Sequence, residues 1–186
     1  TIGGDHSISS GAFRAAQENH PQLACLQIDA HSDLRQEYEG SRLSHASVMA
    51  RIRELTPHAL QLGIRSQCIE EAEWIKRDNL PVYTMQAMRS SGFHLDTVLD
   101  ALPDPVYITL DVDALDWSVV WSTGTPEPGG FTWDEITRLL AAVFAKKTVV
   151  GVDVVELSAT SHDRNSPFAV AKLIYKMIGY YLANHR

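Results

Sequence analysis

Residues 23–33 (LACLQIDAHSD) constrain the fold most, because an apolar run there ends in three metal-type ligands at alternate positions. Residues 23–28 have the length and composition of a buried β-strand. Asp29, His31 and Asp33 follow, and alternate side chains of extended backbone point to the same side. Two crowded carboxylates are costly unless a cation neutralises them. The segment therefore predicts either a metal site just beyond a strand or a solvated turn rich in Asp and Ser.

Strand-like and helix-like segments alternate along the rest of the chain. The predicted strands are residues 23–28, 59–64, 81–84, 105–111 and 148–155, and the predicted helices are residues 8–18, 44–55, 70–78, 85–89, 94–101, 132–146 and 167–183. Strands that are apolar on both faces are typical of a parallel sheet covered by helices. We therefore predict an α/β fold, a three-layer αβα sandwich with a mainly parallel sheet, and a single domain over residues 1–186.

The first residues of the sequence have the pattern of the end of a β-strand. Residues 3–6 (GGDH) have the character of a turn after a strand, yet only two residues precede them, and a helical pattern begins at Ile8. We therefore expect that N-terminal strands of the sheet are missing from this sequence.

Charge and cysteine content limit the partners and the compartment. The formal net charge is −7 and no block of basic residues occurs, which argues against a nucleic-acid partner and suits a cationic substrate or a bound metal ion. Cys25 and Cys68 lie in apolar runs, which predicts buried thiols in a reducing compartment. Because no apolar stretch reaches about 18 residues and no leader peptide opens the chain, we predict a cytoplasmic protein with no membrane contact.

Acidic residues and histidines gather where four predicted strands end. These ends share one edge of a parallel sheet, and ligands of open α/β sheets bind there. The four clusters are residues 3–6 after the opening stub, residues 29–33, residues 111–113, and Asp153 with Glu156. Four clusters on one edge are not expected by chance, so the metal site is favoured over the solvated turn.

Six of these side chains form a candidate ligand set: His6, Asp29, His31, Asp33, Asp111 and Asp113. Mixed carboxylate and imidazole ligation suits harder ions such as manganese, whereas structural zinc sites prefer Cys and His. Four carboxylates balance the charge of two divalent ions, and two ions about 3.5–4 Å apart can generate hydroxide at neutral pH. A calcium loop at residues 111–116 is excluded because Leu115 occupies its third ligand position.

Taken together and in order, these motifs resemble the ureohydrolases, the arginase and agmatinase family. The motifs are Gly3-Gly4-Asp5-His6-Ser7, Asp29-Ala30-His31-Ser32-Asp33, Gly63-Ile64-Arg65-Ser66, Asp111-Val112-Asp113 and Gly124-Thr125-Pro126-Glu127-Pro128-Gly129-Gly130. Residues 33–46 (DLRQEYEGSRLSHA) add a resemblance to agmatinases in particular. The resemblance implies an arginase-like fold, a role in polyamine biosynthesis, and a homo-oligomer, either a trimer or a hexamer.

The resemblance also implies two Mn²⁺ ions. One ion would be bound by His6, Asp29, Asp33 and Asp111, and the other by Asp29, His31, Asp111 and Asp113, so that two aspartates bridge the pair. A hydroxide between the ions would attack the guanidinium carbon of a small cationic guanidino substrate. For agmatine the products would be urea and putrescine.

Three side chains receive catalytic roles from the resemblance. Glu156 would hold the substrate guanidinium, and His45 would bind the substrate and pass a proton to the leaving amine. Asp113 would act as a catalytic residue as well as a ligand. Without the resemblance, Glu156 would be interpreted as a solvated acid and His45 as a surface or capping histidine. Asp5 and Asp153 are expected to orient ligands.

The loop after residue 113 departs from the family pattern. Trp117 stands where proline is usual, and Trp121-Ser122 replaces Pro-Gly. Two indoles beside the site would narrow its entrance, fill space near it, or mark a degenerate copy. The histidines outside the motifs are predicted on the surface: His20, His58, His94, His162 and His185.

Substrate choice rests on the pocket rim. Residues 66–71 should form part of this rim, and they offer Glu70 and Glu71 but no basic group. A substrate without a carboxylate, such as agmatine, is therefore favoured over arginine. A guanidinobutyrase or arginase type of ureohydrolase, or a catalytically silent remnant of the fold, stays as an alternative.

Overall fold

The computed structural model of this chain describes residues 1–184, and within them strands and helices alternate as expected. The strands are β1 (Ala24–Ile28), β2 (Ala59–Ile64), β3 (Val82–Thr84), β4 (Val106–Asp111) and β5 (Val149–Val155). The helices are α1 (Ile8–Gln17), α2 (Val48–Leu55), α3 (Ile69–Asp78), α4 (Met85–Met88), α5 (Leu95–Asp100), α6 (Trp133–Lys146) and α7 (Asn165–Asn184). Two 3₁₀ turns, His45–Ser47 and Val112–Ala114, precede α2 and follow β4.

The strands form one parallel sheet in the order β3-β2-β1-β4-β5. Every residue of β1, β2 and β4 is buried, because helices cover both faces of the sheet. The predicted three-layer sandwich with a mainly parallel sheet is confirmed. The chain order reverses between β1 and β4, and such a switch point opens a crevice at the carboxyl ends of the strands.

Alternate strand positions supply two hydrophobic cores, one on each face of the sheet. Leu26 and Ile108 pack into the core that includes α6 and α7, whereas Tyr107 packs into the core that includes α1 and α2. Phe13 of α1 meets the Tyr107 ring edge-on at 5.8 Å. Burial of each large apolar side chain contributes about 1.5–3 kcal/mol, so these cores hold the strand ends in place.

The first residues of the chain extend the sheet beside β5. Ile2 forms a parallel bridge with Val154, and the Gly3 amide donates to the Val154 carbonyl at 3.0 Å. The Glu156 amide donates to the Gly4 carbonyl at 2.7 Å. This pairing brings the following residues, His6 among them, to the carboxyl end of the sheet. An apolar groove of about 350 Å³ lies between this stub, β5 and α7.

Local signals set the helix ends. Thr132 and Glu135 form the capping box at the start of α6, as their spacing predicts. The Ser44 side chain caps the segment before α2, but that segment begins as a 3₁₀ turn. No helix within residues 1–184 is both long and apolar enough to cross a bilayer.

Two expectations about single residues need comment. Cys25 and Cys68 are free thiols in the described part of the chain, but Cys68 is only half-buried, because it stands at the exposed start of α3. Of the histidines predicted on the surface, His20 is half-buried, and three are exposed: His58, His94 and His162. His185 lies outside the described residues.

Candidate metal centre

The six candidate ligands meet at the carboxyl ends of β1 and β4, beside the opening stub. Asp29, His31 and Asp33 follow β1, Asp111 ends β4, and Asp113 lies in the 3₁₀ turn after it. Asp33 has a backbone φ of 50°, in the left-handed region that is costly for a residue with a side chain. Strained backbone of this kind is typical of functional sites.

The tautomer of His6 follows from its buried neighbours. The Nε2 atom of His6 lies 2.9 Å from the hydroxyl oxygen of Thr109. That hydroxyl donates its only proton to Asp153 at 2.7 Å, so it must accept from His6. Tyr107 donates to the other oxygen of Asp153 at 2.8 Å. Nε2 therefore carries a proton, and Nδ1 of the neutral ring presents a lone pair. Asp153, expected to orient a ligand, lies in the right place to do so.

The Nδ1 atom of His6 faces three carboxylate oxygens. It lies 3.3 Å from Asp29 Oδ2, 3.0 Å from Asp33 Oδ2 and 3.3 Å from Asp111 Oδ2. It is buried, and among residues 1–184 it has no hydrogen-bond partner. When the ring is neutral, Nδ1 presents a lone pair to three carboxylate oxygens, which is unfavourable, and a divalent cation among these atoms would satisfy all four. The residues present therefore fit a metal ion.

A second ligand group shares Asp29 with the first. Asp29, His31 and Asp113 bring one candidate ligand atom each within 4.8 Å of one another. His31 Nδ1 lies 3.0 Å from Asp113 Oδ2 and 3.7 Å from Asp29 Oδ1. The Ala30 amide donates to Asp113 at 3.1 Å, and the Asp113 amide donates to Asp111 at 2.9 Å. These backbone contacts turn the carboxylates toward the shared space.

The crowding of acids shifts their pKa values. Burial, together with the charges of neighbouring carboxylates, raises the pKa of Asp111 well above its usual range and that of Asp33 to about 7. Burial lowers the pKa of the two imidazoles, but their carboxylate neighbours outweigh it; the pKa of His6 is raised well above its usual range and that of His31 to about 11. The raised pKa values of Asp33 and Asp111 reflect the cost of placing several carboxylates in one buried space.

A cavity of about 270 Å³ opens over this centre. Besides the ligands His6, His31, Asp33 and Asp111, its walls are formed by Arg35, Tyr38, His45, Ala46, Ser66, Gln67, Cys68, Glu71, Thr125 and Glu156. His45 and Glu156 thus reach the same cavity as the ligand set. The exposed fraction of the His45 side chain is 42%, and its Nδ1 lies 3.7 Å from Asp5.

A left-handed backbone conformation and a hydrogen bond from the His6 amide hold Glu156 at the cavity wall. Its φ is 66°, and its Oε1 accepts from the backbone amide of His6 at 2.5 Å. Burial raises the pKa of Glu156. One carboxylate oxygen is therefore used for support, which leaves the other for a ligand in the cavity.

The structure excludes one of the three alternatives for the two tryptophans, and it changes the role expected for one residue of the rim. Trp117 and Trp121 are about half exposed, and neither is among the described residues that line the cavity, so they do not narrow it. Glu71 lines the cavity, as expected for residues 66–71, but its two oxygens accept from the backbone amides of Leu34 at 2.8 Å and Cys68 at 2.7 Å. Glu71 is buried because it ties the loop after β1 to the start of α3.

Several polar residues escaped sequence reasoning. Thr109, Gln27 and Gln61 are fully buried within apolar strands and contact the site or its neighbours. Arg65 donates to the backbone carbonyls of Asp113 and Glu127 at 2.6 and 2.8 Å and so fastens the loop of residues 124–130 to the end of β4. A polar residue inside an apolar run was the available signal, since buried polar groups need partners.

The chain is similar to known proteins over nearly its whole length. A model described as the arginase family matches residues 1–179. The chain is 37% identical to an N(1)-aminopropylagmatine ureohydrolase of Synechocystis, in a match that covers all of this chain and 61% of that protein. It is 35% identical to an agmatinase of Bacillus cereus, over 95% of this chain and 61% of that protein. The crystal structure of an agmatine ureohydrolase of Thermoplasma volcanium superposes with a TM-score of 0.85 at 31% identity, over 97% of this chain and 61% of that one. The chain thus spans about three fifths of these relatives.

Proposed function

The chain belongs to the arginase family, and from that premise we propose that it is a manganese-dependent ureohydrolase that cleaves the guanidino group of a small cation. One observation carries the proposal: the buried Nδ1 of His6 faces carboxylate oxygens of Asp29, Asp33 and Asp111 at 3.0–3.3 Å. Such a group of acceptors beneath an open cavity suits a divalent cation and little else.

Two ions would share the ligand set. His6, Asp29, Asp33 and Asp111 would hold one, and Asp29, His31, Asp111 and Asp113 the other. The four carboxylates balance two divalent charges, and the mixed oxygen and nitrogen donors favour manganese. When bound, two such ions make a water nucleophilic at neutral pH.

The cavity residues handle the substrate. Glu156 would bind the guanidinium through the oxygen that His6 does not use, because a carboxylate and a guanidinium form strong, charge-assisted hydrogen bonds. The water oxygen bonds to the guanidinium carbon, and the bond from that carbon to the alkyl nitrogen breaks. The two protons of the water would pass to the departing amine, one of them through His45, so that the products are urea and an alkylammonium ion.

Agmatine is the substrate that we propose first. The exposed carboxylate of Glu70 stands near the rim, and Glu156 lies in the cavity, which favours a substrate that is cationic throughout. Arg35 also lines the cavity, but its guanidinium lies over the Tyr38 ring, 5.1 Å from the centroid. The carboxylate of a substrate such as arginine or guanidinobutyrate would have to draw the Arg35 guanidinium away from the Tyr38 ring in order to pair with it.

A longer polyamine is the second candidate, and a groove favours it. A groove of about 750 Å³ adjoins the cavity, because Arg35, Cys68 and Glu71 line both. Its walls include the carboxylates of Glu37 and Glu70. An aminopropyl extension of agmatine would place its one additional ammonium group along these acids. The name of the Synechocystis relative points to such a substrate.

Urea release by the manganese-loaded protein tests the proposal. Agmatine, N(1)-aminopropylagmatine, arginine and guanidinobutyrate are compared at equal concentration, with metal content and folding measured on the same samples. We expect urea from the first or second compound. Urea only from arginine would refute the substrate assignment, and no urea from any of them, with ions bound and the chain folded, would favour the silent remnant.

Compartment and assembly stay predictions. The free thiols of Cys25 and Cys68 support a reducing, cytoplasmic location. A homo-oligomer follows from the family resemblance alone.

A further inference from the structure

A chain of buried hydrogen bonds runs from α2 through the sheet to the candidate metal centre. Gln27 of β1 and Gln61 of β2 are partners in register, and both are fully buried. Arg53 reaches Gln61 from α2, and Gln27 reaches Asp29. Buried amides in a sheet cost free energy unless they are hydrogen-bonded, and apolar side chains would fill the same space without that cost. This row of three polar side chains therefore indicates a role other than packing.

The direction of every amide in the row is fixed. Arg53 Nη2, which can only donate, lies 3.2 Å from Gln61 Oε1. The Ser32 carbonyl, which can only accept, takes a hydrogen bond from Gln61 Nε2 at 2.7 Å. These two contacts independently set the orientation of Gln61. Its Nε2 also donates to Gln27 Oε1 at 2.6 Å, and the amide nitrogen of Gln27 must therefore face Asp29.

The row ends on one particular oxygen. Gln27 Nε2 donates to Asp29 Oδ2 at 2.7 Å, and this oxygen is the one that lies 3.3 Å from His6 Nδ1. The other oxygen, Oδ1, accepts from the backbone amide of His31 at 2.6 Å. Each oxygen of Asp29 thus has one protein donor. A carboxylate oxygen has two lone-pair directions, so each keeps one for a cation.

We propose that Gln27 is a positioning residue that holds Asp29 in the orientation in which its two oxygens face different ions, and that Gln61 and Arg53 fix the direction of the Gln27 amide. The inference rests on the proposed function, because it concerns the same pair of ions. It differs from the proposed function in that it concerns the orientation of a ligand and not the reaction: the amide donor of Gln27 at Oδ2 decides which way the Asp29 carboxylate turns. Neighbours of this kind typically affect metal affinity strongly.

Manganese titration of the full chain tests this role apart from activity. Gln27→Met keeps the length of the side chain and removes the donor. We expect its Mn²⁺ affinity to fall roughly 10–100-fold, with a weaker fall in Gln61→Met and the weakest in Arg53→Met. Gln17→Met is the matched control, because Gln17 donates to the Leu55 carbonyl at 2.8 Å, in a contact that involves none of the candidate ligands. The electron paramagnetic resonance signal of a coupled manganese pair should weaken in Gln27→Met and stay native in Gln17→Met.

The outcomes separate the two proposals. Native Mn²⁺ affinity and native pair signal in a folded Gln27→Met chain would overturn the positioning role. If Gln27→Met does not fold, Arg53→Met is used in its place, because Arg53 is only half-buried. A Mn²⁺ affinity of folded Arg53→Met equal to that of Gln17→Met would then overturn the positioning role. A native chain that binds Mn²⁺ but releases no urea overturns the hydrolase, whereas an affinity loss in Gln27→Met in that case still supports the positioning role. A native chain that binds no Mn²⁺ overturns both.

Discussion

The Nε2 atom of His6 lies 2.9 Å from the hydroxyl oxygen of Thr109, across 103 residues of sequence. Since Thr109 itself donates to the buried Asp153, this contact fixes the proton of His6 on Nε2 and frees Nδ1 for the carboxylate cluster. A single hydroxyl in the middle of β4 thereby determines which ring nitrogen of a histidine near the start of the sequence faces the carboxylate cluster.

Thr109→Val should weaken metal binding without unfolding the protein. The substitution keeps the shape of the side chain and removes the acceptor, so that the imidazole loses its preferred tautomer and orientation. We expect a fall in Mn²⁺ affinity of roughly 10–100-fold, measured by titration calorimetry. Thr137→Val is the control, because within residues 1–184 that hydroxyl donates to carbonyls of its own helix, Trp133 at 2.9 Å and Asp134 at 3.4 Å. Equal affinities in the two variants would contradict the role of Thr109.

Asp113→Asn should abolish urea release. The Asp113 carboxylate lies 3.0 Å from His31 Nδ1 and accepts from the Ala30 amide, so an amide in its place puts a donor or a neutral oxygen where an ion needs a charge. We expect turnover to fall roughly 100-fold or more, because even residues that only support a metal ligand typically cost about 10–100-fold in activity when they are lost. Asp116→Asn serves as the control, since Asp116 accepts from Ser118 and Gly129 of its own loop. Near-native turnover of Asp113→Asn would refute the ligand assignment.

His45→Gln should lower turnover and leave the metal in place. His45 lines the cavity, but His6 and His31 are the histidines that face the carboxylate cluster. Loss of a proton donor typically costs about 100-fold or more in the rate of the chemical step. The measurement is kcat together with manganese content, and His58→Gln on the exposed surface is the control. A variant with native kcat would show that His45 is not the proton donor.

Glu156→Gln should raise KM for the guanidino substrate. The amide still accepts from the His6 backbone, so the wall keeps its shape, but the charge that pairs with a guanidinium is gone. A charge-assisted hydrogen bond contributes about 1.5–3 kcal/mol, which corresponds to roughly 10–100-fold in KM. Glu54→Gln removes an equivalent charge from an exposed pair with Arg42 and should leave KM unchanged. If both variants keep the native KM, Glu156 does not bind the substrate.

The ion pair of Arg89 and Glu135 should make stability depend on pH. Hydrogen bonding to Arg89 lowers the pKa of Glu135 to about 2, below its usual value of 4.5. A carboxylate with a lowered pKa stabilises the fold above its unfolded pKa and loses this effect as the pH falls through its folded pKa. We expect the coupling free energy of Arg89→Met and Glu135→Gln to be about 0.5–1 kcal/mol at pH 7, because both side chains are partly exposed.

A double-mutant cycle in denaturant, repeated between pH 7 and pH 2, checks this pair. The coupling should hold down to about pH 4.5 and vanish near pH 2. A coupling that stays constant over this range would show that the carboxylate charge does not contribute.

Much of the fold could be predicted because its signals are local. The apolar runs of β1, β4 and β5, the Thr132 capping box, and the acids placed directly after strands all follow from neighbouring residues. Backbone geometry allows positions in the fold to be inferred from such patterns, since alternate strand residues share a face and parallel strands end at one edge of the sheet. The gathering of His6, the Asp29–Asp33 segment and the Asp111–Asp113 segment therefore follows from the order of residues along the chain.

The fate of Glu71 shows where prediction from local pattern fails. Its place beside Glu70 indicates a charged rim, yet backbone amides of two separate loops capture both of its oxygens. Local pattern also left three alternatives open for Trp117 and Trp121, and the structure excludes one of them, because neither side chain is among the described residues that line the cavity.

By itself, the sequence determined which segments are strands and that acids and histidines follow them, because these properties depend on residues a few positions apart. Only the tertiary structure decided that Gln27 pairs with Gln61, that Thr109 meets His6, and which oxygen of Asp29 each donor takes. The first two contacts join residues 34 and 103 positions apart, and their partners are chosen by strand register and by the packing of two cores. Register across a parallel sheet depends on which strands become neighbours and which faces are buried, and both are decided only when the whole sheet assembles.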